Sequence, residues 1–131
     1  MLLLPFLSGR FGPCIMKILF HIDTHERWGV LLHQIHNTLR DAQNRVEDVD
    51  IQVVAVGTGV IALQQPVAEN LGFIDNMREL SRQGVRFCAC HNALNALAVA
   101  PERLTDFVLV VPAGIVALTQ KQQQGYAYIR V

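Results

Sequence analysis

Two cysteines lie close together where a predicted strand, residues 85–89, gives way to a predicted helix, residues 93–99. Ligands of open α/β sheets bind beyond the carboxyl ends of the strands, where the next helix offers free N–H groups and a partial positive charge. Such a position favours a thiolate at Cys90, the form that attacks sulfur and carbon electrophiles. We predict Cys90 as the catalytic residue, with His91 and Asn92 beside it in a pocket. The alternative is an inert core cysteine.

Cys88 lies two residues before Cys90, so both side chains face the same side of a regular strand. Two strand residues span about 6.6 Å, near the upper limit for a disulfide, so a bridge between them would need a bend in the chain. We expect Cys88 to be buried at the wall of the pocket. The third cysteine is Cys14, and three cysteines are too few for a disulfide-stapled secreted domain. The CxC spacing also lacks the four ligands of a structural zinc site.

A second group of polar side chains follows the first predicted strand. His21, Asp23 and His25 offer three donor groups within five residues. His25 and His36 are about 16 Å apart along a helix, so these two cannot share one ion. We therefore predict no metal site and place His21 and Asp23 in the wall of the pocket, with Asp23 or Thr24 as a helix N-cap.

Glycine-rich turns follow the second and fourth predicted strands. The first contains Gly57 and Thr58 and matches the relaxed dinucleotide fingerprint, but the next strand ends in cysteine rather than in the acid that binds ribose. A tight turn with an anion-tolerant helix start is the preferred interpretation. Pro112 and Gly114 form the second turn. We predict that all four residues line the pocket, and we predict no cofactor.

The elements that position these residues are predicted from hydrophobic periodicity. Apolar runs of strand length alternate with amphipathic stretches, a pattern typical of βα units around a parallel sheet. The predicted strands are residues 17–22, 51–56, 85–89, 107–111 and 126–131, and the predicted helices are residues 26–46, 60–63, 74–82, 93–99 and 113–123. We expect Pro66 to break the second helix and Gly84 to cap the third. The first helix has an apolar stripe that covers the sheet: Trp28, Leu31, Leu32, Ile35, Leu39, Ala42 and Val46.

Length and composition set the wider limits. The 131-residue chain is 51 % hydrophobic and 17 % charged, with 11 basic and 11 acidic residues, which fits one domain with a sizeable core. Its basic residues are scattered, so we predict no nucleic-acid partner. The apolar excess predicts that another subunit covers part of the surface.

The apolar run at residues 2–7 is too short for a membrane helix of about 20 residues, and no basic residue precedes it as in a signal peptide. We interpret residues 1–15 as a loose extension of a domain at residues 16–131. The expected location is the cytoplasm, without membrane association.

The assembled residues resemble the DsrE/DsrF-like family, small α/β proteins linked to intracellular sulfur transfer, and within it a group of short stand-alone members. The resemblance covers residues 16–131. It rests on the opening KILFHID, the segment VRFCACHNAL and the ending VVPAGIVALTQKQQQGYAYIRV. Its most distinctive part is the pattern of Pro112, Gly114 and Gln124-Gly125-Tyr126.

The resemblance implies a three-layer α/β/α fold with a mainly parallel five-stranded sheet, and a homo-oligomer, either a trimer or a hexamer. In sulfur-relay members, a cysteine at the end of the third strand carries sulfur as a persulfide, and Cys90 matches that position. Relay members often carry Arg-Gly several residues later, where this chain has Ala96-Leu97-Ala98 and therefore lacks that positive charge.

We predict a cytoplasmic sulfur carrier or sulfurtransferase-like protein in which Cys90 receives sulfur from a donor protein and passes it to an acceptor protein. Whether it turns over as an enzyme stays open. The alternative is a non-catalytic homo-oligomeric module that binds a small anionic or aromatic ligand at the same rim. A purely structural subunit is a third possibility.

Overall fold

Five parallel strands form the centre of the structure, a computed structural model that describes residues 15–131. The predicted extension lies almost entirely outside the described residues, as does Cys14. The strands are β1 (Met16–Ile22), β2 (Val49–Ala55), β3 (Arg86–Cys90), β4 (Val108–Val111) and β5 (Ala127–Arg130). Their order across the sheet is β4-β3-β2-β1-β5, and all four pairings are parallel. The predicted α/β fold class is confirmed.

Parallel pairing brings the carboxyl ends of all five strands to one edge of the sheet. In register, His21 of β1 pairs with Val54 of β2 and Arg130 of β5, and Cys90 of β3 pairs with Val111 of β4. The predicted strands match the observed ones to within two residues. The fifth strand lies at one side of the sheet, as predicted.

The helices are α1 (Trp28–Asn44), α2 (Gln65–Asn70), α3 (Ile74–Arg82), α4 (His91–Ala96) and α5 (Gly114–Gln123). Short 3₁₀ segments span His25–Arg27, Gly57–Leu63 and Pro101–Arg103. The predicted third helix is confirmed residue for residue, and Gly84 follows it with a φ of 100°. That left-handed conformation favours glycine and ends the helix before β3.

Two predictions about helix ends are wrong. The segment before Pro66 ends at Leu63 as predicted, but Pro66 does not keep the chain out of a helix: it lies in the first turn of α2, where a helix needs no N–H from its residues. Val46 does not belong to the apolar stripe of α1. The helix ends at Asn44, and Val46 follows with a φ of 53° and a side chain that is 92 % exposed.

Helices cover both faces of the sheet, which gives the three layers. The face with the larger core packs against α1, α3 and α4, and the buried stripe of α1 contributes Trp28, Leu31, Leu32, Ile35 and Ala42. The opposite face packs against α5, whose Ala117 and Leu118 contact Leu19, Val54 and Cys88. The strands are therefore apolar on both faces, as expected for a parallel sheet between helices.

The end of α5 accounts for the Gln124-Gly125-Tyr126 pattern. Gly125 has a φ of 96°, and the N–H of Tyr126 donates to the carbonyl of Lys121 at 3.1 Å, so the chain turns sharply out of the helix. Tyr126 then donates its hydroxyl proton to Asp50 Oδ2 at 2.6 Å. This contact joins the start of β5 to the start of β2.

Within residues 15–131, no helix has both the length and the apolar character needed to cross a membrane.

Candidate functional site

A cleft opens at the carboxyl edge of the sheet, between the ends of β1 and β3 and the start of α5. Its volume is about 390 Å³. The lining residues are His21, Asp23, Val56, Cys90, Asn92, Ala113, Gly114, Ile115 and Leu118. Apolar side chains form most of the wall, with His21, Asp23 and Asn92 as its polar side chains.

Cys90 is the last residue of β3 and directly precedes α4. Its side chain is 6 % exposed, so it sits in the wall of the cleft rather than on the outer surface. The residue nevertheless lines the cleft. A thiol in this position can meet a ligand that enters the cleft while the surrounding side chains exclude most water.

The hydrogen bond to the Cys90 sulfur comes from α5 rather than from α4. The N–H of Gly114, the first residue of α5, donates to Cys90 Sγ at 3.3 Å. A helix leaves its first N–H groups free, so this donor can stabilise negative charge on sulfur. The sequence predicts this role for the helix that directly follows Cys90, whereas the observed donor lies 24 residues further along the chain.

Gly114 lacks a side chain because α5 begins very close to β2 and β3. A Cβ atom at this position would lie 2.3 Å from Val56 Cγ1 and 3.5 Å from Cys90 Sγ. Carbon atoms cannot approach one another to 2.3 Å without displacement of the backbone or the neighbour. The glycine therefore allows the helix to place its amide against the sulfur.

The other side of the cleft is a polar cluster built from β1, β5 and the loop after β1. Arg130 Nη2 lies 2.8 Å from Asp23 Oδ2, and Thr24 donates its hydroxyl proton to Asp23 Oδ1 at 2.9 Å. His21 Nδ1 and the Tyr128 hydroxyl are 2.6 Å apart. These contacts hold an imidazole and a carboxylate at the cleft opposite Cys90.

Both titratable groups of this cluster are shifted. The Thr24 hydrogen bond lowers the pKa of Asp23 from its ordinary value, and the nearby Arg130 charge acts in the same direction. Burial lowers the pKa of His21, while the charge of Asp23 partly opposes that shift. Asp23 is therefore ionised and His21 neutral around neutral pH, and Arg130 compensates the carboxylate charge.

The structure brings five of the predicted site residues to this cleft: His21, Asp23, Cys90, Asn92 and Gly114. The other five lie outside its lining. Cys88 is buried beneath α5, and His91 is exposed on α4. Gly57 and Thr58 pack behind the loop after β1, where Thr58 Oγ1 accepts a hydrogen bond from the N–H of His25. Pro112 lines a neighbouring hollow of about 220 Å³.

Cys88 and Cys90 are both free thiols. Cys88 packs in the layer under α5, whereas Cys90 contacts the larger core and accepts its hydrogen bond from Gly114 at the start of α5. Burial raises the pKa of Cys88, and the charges of Lys121 and Arg86 oppose that shift without cancelling it. Cys88 is therefore kept as a neutral thiol within the packed layer under α5.

The expected N-cap has a different role. Thr24 occupies the position before the 3₁₀ segment His25–Arg27 but makes no side-chain capping hydrogen bond. Its hydroxyl instead donates to Asp23, which fixes the carboxylate. Among residues 15–131, no three His, Cys, Asp or Glu side chains are grouped closely enough to hold a metal ion.

Sequence reasoning missed the residues that β5 contributes. Arg130 and Tyr128 both reach the polar cluster because β5 pairs with β1, a neighbour that is distant in sequence. The sequence indicated the alternating pattern of the last strand, but it did not indicate the order of the strands in the sheet. Ile115 and Leu118 were also missed, since their place in the wall depends on where α5 crosses the sheet.

The model of the DsrE/DsrF-like family matches residues 16–131. A protein of unknown function from Methanobacterium thermoautotrophicum is 35 % identical, with a TM-score of 0.77 over 88 % of this chain and 99 % of its own. A conserved protein of unknown function from Bacteroides thetaiotaomicron is 19 % identical, with a TM-score of 0.63 over 88 % and 95 % of the two chains. At that identity the second likeness concerns the fold alone. No protein of curated function matches the chain.

Proposed function

Because the chain belongs to the DsrE/DsrF-like family, we propose that it is a sulfur carrier in which Cys90 holds sulfane sulfur as a persulfide. One observation carries the proposal: the Cys90 sulfur lines an accessible cleft and accepts a hydrogen bond from the first N–H of α5. A carrier needs both features, a route for the donor and a donor group that stabilises negative sulfur.

The loading step is a thiol exchange. The Cys90 thiolate attacks the outer sulfur of a donor persulfide, a new bond forms between that sulfur and Cys90 Sγ, and the donor's own sulfur–sulfur bond breaks. The donor leaves as a thiolate, and Cys90 keeps the transferred sulfur with its proton. In the unloading step, an acceptor thiolate attacks the same outer sulfur and releases the Cys90 thiolate. The two steps together consume no oxidant or reductant.

The walls of the cleft suit this cargo. Val56, Ile115 and Leu118 contribute apolar groups to the wall of the cleft that contains Cys90. The Asp23 carboxylate could repel a negatively charged persulfide, but Arg130 pairs with it at 2.8 Å. Gly114 supplies part of the positive character that Arg-Gly provides in relay members and that Ala96-Leu97-Ala98 cannot supply.

The test is to incubate the protein with a small-molecule persulfide and to locate added sulfur by mass spectrometry of peptides kept from reduction. We expect one added sulfur atom on the peptide that contains Cys90, and no addition after Cys90→Ser. Cys88→Ser is the matched control, because it removes a thiol from the same peptide and the same strand. It should leave the loading intact, since Cys88 lies beneath α5.

A protein that stays unmodified at Cys90, while a reactive control protein is labelled in the same tube, would contradict the carrier function. A Cys14→Ser background keeps the third thiol from complicating the assay. Transfer onward from loaded protein to an acceptor thiol then separates a carrier from a cysteine that is merely oxidised.

A second candidate function is a non-catalytic module that binds a small aromatic or anionic ligand in the cleft. It is favoured by the low exposure of Cys90 and by the mostly apolar wall, which is typical of small-molecule sites. In that case Cys90 would be one wall of the cleft. A Cys90→Ser protein that binds its ligand unchanged, together with an alkylation rate at Cys90 below that of free cysteine, would favour this candidate.

We further propose that the protein acts as a homo-oligomer in the cytoplasm and exchanges sulfur with donor and acceptor proteins. The exposed apolar residues Leu109, Val110, Ile115 and Val116 support self-association, since β4 is an edge strand and α5 begins beside it. The family resemblance suggests a trimer or a hexamer. The sparse cysteines support a reducing compartment.

A further inference from the structure

A second cleft opens at the opposite edge of the sheet, where the strands begin. Its volume is about 350 Å³, and its wall is mainly polar: Val49, Asp50, Gln52, Gln83, Gly84, Arg86, Lys121, Gln124 and Tyr126. Arg86 and Cys90 are the first and last residues of β3, so the two clefts lie at opposite ends of one strand. The proposed sulfur chemistry uses none of the residues of this second cleft.

Two cations of the cleft are unpaired. Arg86 and Lys121 have no carboxylate within 4 Å and make no side-chain hydrogen bond among residues 15–131. Lys121 Nζ lies 5.7 Å from the centroid of the Tyr126 ring, which also lines the cleft. Lys121 is a residue of α5, and Arg86 lies two residues before Cys88 on β3, so both groups lie on the α5 side of the sheet. A guanidinium and an ammonium group that face one cleft together are suited to a carboxylate.

Acceptor groups line the same cleft, where Gln52 of β2 pairs in register with Arg86 of β3. Asp50 accepts hydrogen bonds from the Tyr126 hydroxyl at 2.6 Å and from Gln52 Nε2 at 3.0 Å. These donors hold the carboxylate in place but are neutral, so its charge is not cancelled. Each carboxylate oxygen has a second lone pair for a further donor.

Gln52 places a buried polar side chain in the wall of the cleft. Gln52 is 4 % exposed, whereas the other buried residues of β2 are apolar. Its Oε1 has no hydrogen-bond partner among the described residues. An unpartnered buried acceptor is costly, and a leucine would fill the same space without that cost. The amide is explained if Asp50 must be held at the cleft for a ligand.

We propose that this second cleft binds a small hydroxycarboxylate. Its carboxylate would contact Arg86 and Lys121, and its hydroxyl would donate to Asp50. The charged side chains that line the cleft are two cations and one carboxylate, and Lys17 adds a further cation at its margin, where Nζ donates to the Gln124 carbonyl at 3.0 Å. The cleft therefore has an excess of positive charge, which favours an anionic ligand. The volume of about 350 Å³ is at the lower end for small-molecule sites, which fits a compact molecule.

The test uses three matched probes with the ¹⁵N-labelled full chain and follows backbone amide shifts of residues around the cleft. L-lactate carries both groups, propionate lacks the hydroxyl, and L-lactamide lacks the charge. We expect saturable shifts near Gln52, Arg86 and Tyr126 with lactate, and at least about fivefold weaker binding of the other two, since a hydrogen bond to a charged group contributes this much or more. Equal binding of lactate and propionate, or no saturable shift with lactate, would overturn the proposal.

Variants at exposed positions identify the contacts without disturbing the core. Arg86→Gln and Lys121→Gln should each weaken lactate binding at least about fivefold. Arg82→Gln removes the same charge from an exposed side chain outside the cleft and should leave binding unchanged. Unchanged binding in both cleft variants would also overturn the proposal. Because Cys90 is at the other edge, Cys90→Ser should bind lactate normally, so this result is independent of the sulfur-carrier test.

Discussion

The hydrogen bond to the sulfur of Cys90 depends on Gly114, a residue without a side chain. Gly114 brings the first amide of α5 to 3.3 Å from Cys90 Sγ, and the same close approach leaves no room for a methyl group. The hydrogen bond and the missing Cβ therefore have one cause, the tight contact between the start of α5 and the ends of β2 and β3. At the scale of single residues, the site is built by this contact as much as by the cysteine.

Gly114→Ala should destabilise the protein, because the new Cβ would lie 2.3 Å from Val56 Cγ1. Overpacking of this kind costs about 1–3 kcal/mol in free energy of unfolding. Urea denaturation measures the loss. The double variant Gly114→Ala with Val56→Ala should recover part of it, since the smaller side chain removes the clash.

Gly29→Ala is the matched control for that experiment. A Cβ at Gly29, within α1, would meet its nearest neighbour, Phe73 Cζ, at an ordinary 3.8 Å. We expect this variant to be as stable as the natural protein or more stable, by up to about 1 kcal/mol, because alanine is the better helix former. If both variants were equally stable, close contact at Gly114 would not be the reason for its glycine.

Tyr126 predicts a dependence on alkaline pH. Burial and the hydrogen bond to Asp50 raise the pKa of Tyr126 to about 12 from the ordinary 10.0. The protonated phenol is thus favoured by folding, and its contribution to stability is complete below pH 10.0 and is lost as the pH rises towards about 12. Tyr126→Phe should flatten this part of the stability profile. Ultraviolet titration measures tyrosinate formation in the natural protein and in the variant. If both proteins showed the same tyrosinate steps up to about pH 12, the assignment would be contradicted.

At the scale of elements, the chain leaves α1 through a valine in the left-handed conformation, which valine rarely adopts. Val46 follows the helix with a φ of 53°, and the N–H of Glu47 donates to the carbonyl of Ala42 at 2.9 Å. This is the left-handed position that closes many helices and that glycine prefers. A β-branched side chain is strained there and gains nothing from burial, since it is 92 % exposed.

Val46→Gly should therefore stabilise the protein by about 1 kcal/mol, the typical cost of a left-handed residue with a side chain. Val30→Gly is the control, because Val30 is also exposed but lies inside α1, where glycine costs about 1 kcal/mol. Thermal unfolding should move the two variants in opposite directions. A loss of stability in Val46→Gly would show that the conformation is not strained.

Periodicity was sufficient to predict the five strands and the longer helices, because each of them carries its own hydrophobic pattern, but it did not predict the short helix α2. The helix at Ile74–Arg82 and the turn at Gly84 follow directly from local residues. The wrong predictions at Pro66 and Val46 concern helix ends, where local preferences are weak and neighbouring elements decide. Cys90, Asp23 and Gly114 could be placed at one edge because parallel strands end together.

The rest of the site depends on strand order, which no local pattern encodes. Arg130 meets Asp23 because β5 pairs with β1 across 107 residues of sequence. Gly57 and Thr58 also follow a strand at this edge, yet they pack behind Asp23 and away from the cleft. Position at the edge of the sheet was therefore necessary for a site residue but not sufficient.

At the scale of the whole molecule, several exposed apolar residues belong to the edge strand β4 and to the start of α5. Ile115 is 74 % exposed in the first turn of α5, and Leu109 and Val110 are exposed on the edge strand β4. Edge strands usually carry charged residues that prevent them from pairing with other chains. Because β4 exposes apolar residues instead, contact with another copy of the chain is the simpler explanation for its composition. The same assembly would narrow the entrance to Cys90, because Ile115 also lines the cleft.

Ile115→Lys should dissociate the proposed oligomer, because it places a charge within the apolar surface. Sedimentation velocity measures the change in mass, and circular dichroism checks that the subunit stays folded. Leu71→Lys is the control, since Leu71 is similarly apolar and exposed but lies after α2. A natural protein that sediments as a monomer would refute the oligomer directly.

The hydrogen bond from Gly114 spans 24 residues and comes from the last helix of the chain. During synthesis, β3 and its cysteine leave the ribosome well before α5 does. A nascent chain therefore carries this thiol without its amide partner and without the helix that shields Cys88. The cleft at Cys90 is complete only when α5 folds back onto the sheet, so loss of that helix would leave the cysteines present but the cleft unformed.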